Sequence, residues 1–185
     1  SGNEARVVGG DGRGDRLLFS VPDAAAVPMA WRPGSRRILA HVTQGILRVL
    51  DLDTGGAELW SADVGRVHRL DWSDDGRRLL ALGDRQLFVF DGAGRRLEKR
   101  RLPGLGLSAA FRPRERTVAL VLGYEGRSDV LVGGRRVFSG AGVFTELAWS
   151  PDGRWLLMAW LAADQWVFVR PARGEPRIVA VSNVS

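Results

Sequence analysis

An all-β repeat domain is what this sequence predicts, and three observations carry the prediction. One short pattern (an aromatic residue, a tight turn, an apolar strand) recurs four times, with anchors Trp31, Trp72, Phe111 and Trp149 spaced 41, 39 and 38 residues apart. The segments between anchors break into short runs separated by Gly, Asp and Pro, the punctuation of an antiparallel meander. The second run of each repeat is apolar at consecutive positions, as in Leu79-Leu80-Ala81-Leu82 and Val118-Ala119-Leu120-Val121-Leu122, which suits a strand covered on both faces. A steady period of this size marks a repeat architecture. The prediction is a β-propeller, closed or partial and open, with four complete four-stranded antiparallel blades and half of a fifth.

The second repeat shows how the elements follow. Val67 to Trp72 reads as strand a and Ser73-Asp74-Asp75-Gly76 as a turn. Arg77 to Leu82 is strand b, Gln86 to Phe90 strand c, and Arg95 to Arg101 strand d, with Gly83-Asp84-Arg85 and Asp91-Gly92-Ala93-Gly94 between them. In the fourth copy of the a–b turn, Ser150-Pro151-Asp152-Gly153, Pro presets φ, Asp bonds its own backbone, and Gly accepts the left-handed conformation. Copy two replaces Pro with Asp74 and keeps Gly76; copy one keeps Pro33 and moves Gly to Gly34. Copy three, Arg112-Pro113-Arg114-Glu115, has no Gly, so a type I turn or a looser loop is expected. The heavily charged Arg95–Arg101 run suits an outer edge strand.

At the ends, Ala5 to Val8 and Arg16 to Ser20 read as strands c and d of an earlier repeat, joined by Gly9 to Gly14. Trp166 to Arg170 and Arg177 to Ser182 complete the fourth repeat. The chain is thus a single domain: a half repeat over 5–23, then repeats over 27–65, 66–104, 107–142 and 145–182. The half repeat leaves an open strand edge, which invites a homodimer. Ala24-Ala25-Ala26 has the composition of one helical turn, bounded by Pro22 and Pro28.

Composition excludes more than it assigns. In 185 residues there is no cysteine, which rules out disulfides and thiolate metal sites. The formal net charge is +6, and Lys99 is the only lysine among 27 basic residues. Arginine grips phosphate bidentately, but these arginines are spread over every repeat among 21 acidic residues, so nucleic acid is not the expected partner. The longest apolar run, Trp155 to Ala163, has nine residues, too short to cross a bilayer. The chain opens on Ser1-Gly2-Asn3, and a native targeting segment is expected upstream.

Catalytic and metal signatures are thin. Gly106-Leu107-Ser108-Ala109-Ala110 approaches G-x-S-x-G but misses the last Gly. His41, in strand b of the first repeat, and His68, in strand a of the second, fall on adjacent inner strands without an acidic partner, so they read as packed or solvent-facing histidines. Asp74-Asp75, Asp51 and Asp53 read as turn residues. Gly9 to Gly14 lacks the Gly-Lys-Ser/Thr of a phosphate loop. Arg13-Gly14-Asp15 spells an adhesion tripeptide in an exposed hairpin, a combination that arises readily in an Arg- and Gly-rich chain. No catalytic residue, cofactor or metal is expected.

Leu147-Ala148-Trp149-Ser150-Pro151-Asp152-Gly153-Arg154 resembles the repeat of TolB-like, or WD40-like (PD40), β-propellers. Ile46 to Gly55 resembles strand c and the following turn of that repeat. The resemblance implies a propeller of six or more blades, an exported or envelope location, and partner binding rather than chemistry. This chain departs in repeat number and lacks a Trp-Asp dipeptide ending strand c.

A binding face is expected where the b–c and d–a loops gather. Tyr124 and Arg127 lie in the longest b–c loop, and both residue types are common at interface hot spots. Arg66 and His68 lie in a d–a connection, and Trp160 lies beside a b–c loop. Trp31, Trp72 and Trp149 are expected in the core. The expected function is a noncatalytic protein–protein interaction module of a bacterial envelope or secreted protein, extracytoplasmic in location. The alternative is a carbohydrate or polyanion binder using loop aromatics and arginines.

Overall fold

The computed structural model describes residues 3–21, 27–172 and 175–182. A hairpin of β1 (Asn3–Val7) and β2 (Arg16–Val21) precedes four antiparallel meanders. The first blade is β3 (Met29–Trp31), β4 (Ile38–Thr43), β5 (Ile46–Asp51) and β6 (Ala57–Asp63). The second is β7 (Arg69–Trp72), β8 (Arg78–Leu82), β9 (Gln86–Asp91) and β10 (Arg96–Arg101). The third is β11 (Leu105–Phe111), β12 (Val118–Tyr124), β13 (Arg127–Val132) and β14 (Arg135–Ala141). The fourth is β15 (Phe144–Trp149), β16 (Leu156–Trp160), β17 (Gln165–Arg170) and β18 (Arg177–Ser182). The inner strands β3, β7, β11 and β15 stand in succession, and the all-β blade architecture is as the repeats predict. The Ala24–Ala26 segment lies outside the described residues.

Cores sit between blades. The leading face of the first blade (Ile38, Ala40, Leu47, Val49) meets Leu70, Trp72, Leu79 and Phe90 of the second. Leu80, Leu82, Leu87 and Val89 turn the other way, onto Ala109, Phe111, Leu120 and Leu122 of the third. Ala119, Val121 and Val130 then meet Phe144, Leu156, Met158 and Val167 of the fourth. Alternate residues of a central strand thus enter two different cores, which is why the b strands carry no polar face. Each such Leu or Phe contributes roughly 1.5–3 kcal/mol by leaving water.

Inner strands are also stitched by polar contacts. Asp71 Oδ2 accepts the Phe111 N–H at 3.0 Å, and Arg69 Nε donates to Ala109 O at 3.0 Å. Burial pushes the Asp71 carboxyl above the usual carboxylate range, an effect opposed by the Phe111 N–H and the charge of Arg69.

The a–b turns come in two alternating forms. In blades two and four the Ser hydroxyl bonds the Asp carboxylate at 2.6 Å (Ser73–Asp75, Ser150–Asp152), and Gly76 and Gly153 adopt φ of 64° and 67°. In blades one and three the turn is aromatic-Arg-Pro, with the positive φ one residue earlier: 73° at Gly34 and 61° at Arg114. A positive φ at the third turn residue after Pro is the mark of a type II turn. The third copy therefore keeps the geometry of the first without its glycine, rather than forming a type I turn or a loose loop.

The two ends of the array differ. Val7 and Leu18 of the N-terminal hairpin cover Leu39, Leu50 and Leu52 on the trailing face of the first blade, and Phe19 stacks on His41 at 4.2 Å. On its outer side Arg6 bridges Glu4 at 2.9 Å and Asp15 at 3.0 Å, so the hairpin presents charge to solvent. Arg13-Gly14-Asp15 is exposed there. With no inner strands in front of β1 among the described residues, Trp31 stays 47% exposed instead of joining a core. Trp72 is buried as expected, and Trp149 is half-buried.

Candidate functional site: the loop end of the blades

The d–a connections and b–c turns gather at one end, and short contacts between glycines hold them there. Val64 and Val67 bury themselves in the connection after β6, while the Val64 and Gly65 N–H groups donate to Gly45 O, each at 3.0 Å. Between these pins Arg66 is exposed. A Cβ at Gly83 would lie 2.3 Å from Arg66 O, so only glycine lets the b–c turn of the second blade pass beneath this connection.

His68 lies just ahead of β7 rather than within it. Its N–H donates to Leu82 O at 3.0 Å, and its Nε2 sits 3.0 Å from Gly106 O and 3.9 Å from Asp84 Oδ1. His41 turns to Phe19 on the other side of the first blade, so the two histidines do not meet. Among the described residues no group of three or more His, Cys, Asp or Glu could hold a metal ion. Ser108 is buried within β11, not poised on a strand-to-helix turn.

Tyr124 and Arg127 face each other across the β12–β13 turn, the Arg127 guanidinium carbon 5.3 Å from the Tyr124 ring centroid. Arg127 is further held by Asp129 at 3.7 Å, and Asp129 accepts the Ser139 hydroxyl at 2.7 Å. The Tyr124 ring lies over Gly104, where a Cβ would come within 2.9 Å of it. The segment from Leu102 to Gly106 therefore joins His68, through Gly106, to Tyr124, through Gly104. Four of the five sequence-predicted residues (Arg66, His68, Tyr124 and Arg127) border this one segment or its neighbours.

Trp160 lies at this end too, on the fourth blade, but is packed inward. Its indole donates to Ala141 O at 2.6 Å, and it packs edge-on against Phe144 at 5.6 Å and Phe138 at 6.1 Å. It is a half-buried packing residue rather than an open stacking platform.

Three residues in connections that the sequence assigns to this end, though it singles none of them out, are exposed: Leu105, Val143 and Leu161, at 41%, 48% and 68%. With Tyr124 they form a rim of apolar side chains at the loop ends of the third and fourth blades. Their place in the loops is legible in the sequence; their exposure is not, because an apolar residue beside a turn can fold inward as readily as outward.

No family model matches the sequence, and no curated protein matches it either. Solved structures do. A chain of the mitotic checkpoint complex matches with a TM-score of 0.72 at 16% identity over 95% of this chain, and hydrazine synthase of Kuenenia stuttgartiensis with 0.70 at 15% over 97%. The β-propeller domain of Cps50 (Swd1) from Myceliophteria thermophila matches with 0.55 at 15% over 85%. This chain spans 60% of the length of the first two and 71% of the third. At such identities the likeness is one of fold: among the described residues the chain is a β-propeller array of four four-stranded blades preceded by an N-terminal hairpin.

Proposed function

We propose that this chain is a noncatalytic protein-binding module of the TolB-like class, belonging to a bacterial envelope or secreted protein, and that it takes its partner at the loop end. The observation that carries the binding site is the apolar rim Leu105, Tyr124, Val143 and Leu161, flanked by the exposed guanidinium groups of Arg66 and Arg127. Scattered exposed apolar residues are ordinary; several gathered at one end beside a Tyr–Arg pair match the composition of protein interfaces. The envelope assignment rests on the TolB-like repeat of Leu147–Arg154. Likeness to a chain of an assembled complex is in keeping with a scaffold role.

Sugar binding through Trp160 fits less well, because its N–H is already used by Ala141 and its ring is packed by two phenylalanines. The test is affinity capture from separated envelope and cytosolic fractions at low and high salt. A defined envelope protein retained at high salt is the expected result. Glycan or nucleic acid released by salt would replace this reading with the polyanion one.

A further inference from the structure

The leading face of the fourth blade is unlike the other leading faces. Ala148, Trp149, Trp155, Leu157, Phe168 and Val179 line an open trough of about 420 Å³, with Val179 38% exposed. The pairings Leu79 with Phe90 and Leu156 with Val169 place Leu157 and Phe168 where the second blade has Leu80 and Val89. Those two are 0% and 5% exposed, closed over by Ala109, Phe111 and Leu120 of the third blade.

The alternating turns say what kind of sheet fits. Blades two and four carry Trp-Ser-x-Asp-Gly, and blades one and three carry aromatic-Arg-Pro. The array is therefore a tandem of two-blade units. Within it, the joint between units is a Trp-Ser-x-Asp-Gly blade covered by an aromatic-Arg-Pro blade. The fourth blade repeats the first half of that joint. From this we infer that the leading face of β15–β18 is a docking surface for one further four-stranded blade of the aromatic-Arg-Pro type, supplied by a propeller polypeptide.

A second copy of this chain does not supply that blade. Its first blade has the right turn, but Val7, Leu18 and Phe19 already cover the trailing face. The outside of that hairpin sets Glu4, Arg6 and Asp15 around exposed Leu17, and those charges would lose water against an apolar sheet. Sheets pack face to face at about 10 Å through interdigitated apolar side chains, and the trough offers such side chains from successive strands. The inference is independent of the loop-end reading, because the loop-end residues are not on this face.

The test joins a copy of residues 102–142 after Ser185 of the full chain. The expected result is a thermal midpoint raised by about 5 °C or more, together with loss of anilinonaphthalene sulfonate fluorescence. Phe111→Arg placed in the appended copy alone should abolish both changes. An appended blade that leaves the midpoint unchanged and remains freely cut by protease would overturn the inference. In the parent chain, Leu157→Gln should leave the midpoint within about 2 °C and lower dye binding, because that side chain lines the open trough and is only half-buried. A parent chain that is a dimer, or that binds neutral phospholipid vesicles, with either property lost in Leu157→Gln, would assign the face to a second copy or a membrane and refute the proposal.

Discussion

The guanidinium carbon of Arg112 lies 5.2 Å from the ring centroid of Trp149 while its Nε donates to Gly153 O at 2.7 Å. One side chain of the third blade thus covers the anchor of the fourth and binds its turn. Arg32 stands over Trp72 in the same way, at 5.7 Å, and a Cβ at Gly76 would meet it at 3.0 Å. Arginine serves here because its planar head stacks and donates at once. Arg112→Ala should lower stability by about 1–2 kcal/mol. Arg112→Lys should recover less than half, since the ammonium keeps the charge but not the Nε donor. Urea unfolding of the two variants measures both; full recovery by Lys would show that charge alone matters.

The two tryptophans beneath these arginines should respond differently to loss of the indole N–H. Trp72 Nε1 donates to Ala30 O at 3.2 Å, whereas Trp149 Nε1 is buried with no hydrogen-bond partner among the described residues. Trp72→Phe removes a made bond and should cost about 1 kcal/mol beyond the change in ring size. Trp149→Phe removes an unmade one and should be close to neutral in that respect. The measurement is the difference between the two unfolding free energies. Equal losses would mean that the indole N–H makes no difference at either site.

His41 should make the fold sensitive to acid. Burial, helped by the charge of Arg48 and opposed by Glu58, lowers its pKa to about 4 from an ordinary 6.5. The ring is stacked on Phe19 and is 3% exposed. The unfolded chain therefore binds the proton first. Stability should be full above about pH 6.5 and fall as pH drops toward 4, by on the order of 3 kcal/mol in all. His41→Phe should flatten that window when unfolding is followed at several pH values. An unchanged slope would assign the acid sensitivity to other groups.

Much of the fold could be read from the repeat. Trp72, Phe111 and Trp149 mark inner strands that do pair as expected, and the all-apolar b strands do enter two cores. The positions of Trp31 and Trp149 could not be read, because an anchor's burial depends on the neighbouring blade rather than on its own sequence. Trp31 is 47% open because among the described residues no inner strand stands in front of it. The turn at Arg114 is not legible in the sequence because a missing glycine argues against positive φ, whereas Pro113 at its second position and the Glu115 N–H to Arg112 O bond close it in the type II geometry. At the loop end, Tyr124 and Arg127 were found through residue type. Leu105, Val143 and Leu161 fall in the loops expected there but were not singled out, since exposure of a lone apolar loop residue is not written in the sequence.

Tyr124 offers the sharpest separation between binding and folding at the loop end. It is 37% exposed, rests on Gly104 and is flanked by Arg127, so its ring is fixed without being part of a core. A rigid aromatic of this kind loses little entropy when a partner covers it, which is why truncation at such a site costs binding more than stability. Tyr124→Ala should leave the thermal midpoint within about 2 °C of the parent, a surface effect. It should also reduce retention of the captured partner at least tenfold, about 1.4 kcal/mol. Tyr124→Phe should retain most of the binding if the ring face is what the partner meets. Leu161→Asp, on the next blade along the same rim, should weaken retention as well. If both loop-end variants hold the partner as firmly as the parent chain, the interface lies elsewhere on the array and the rim is only surface.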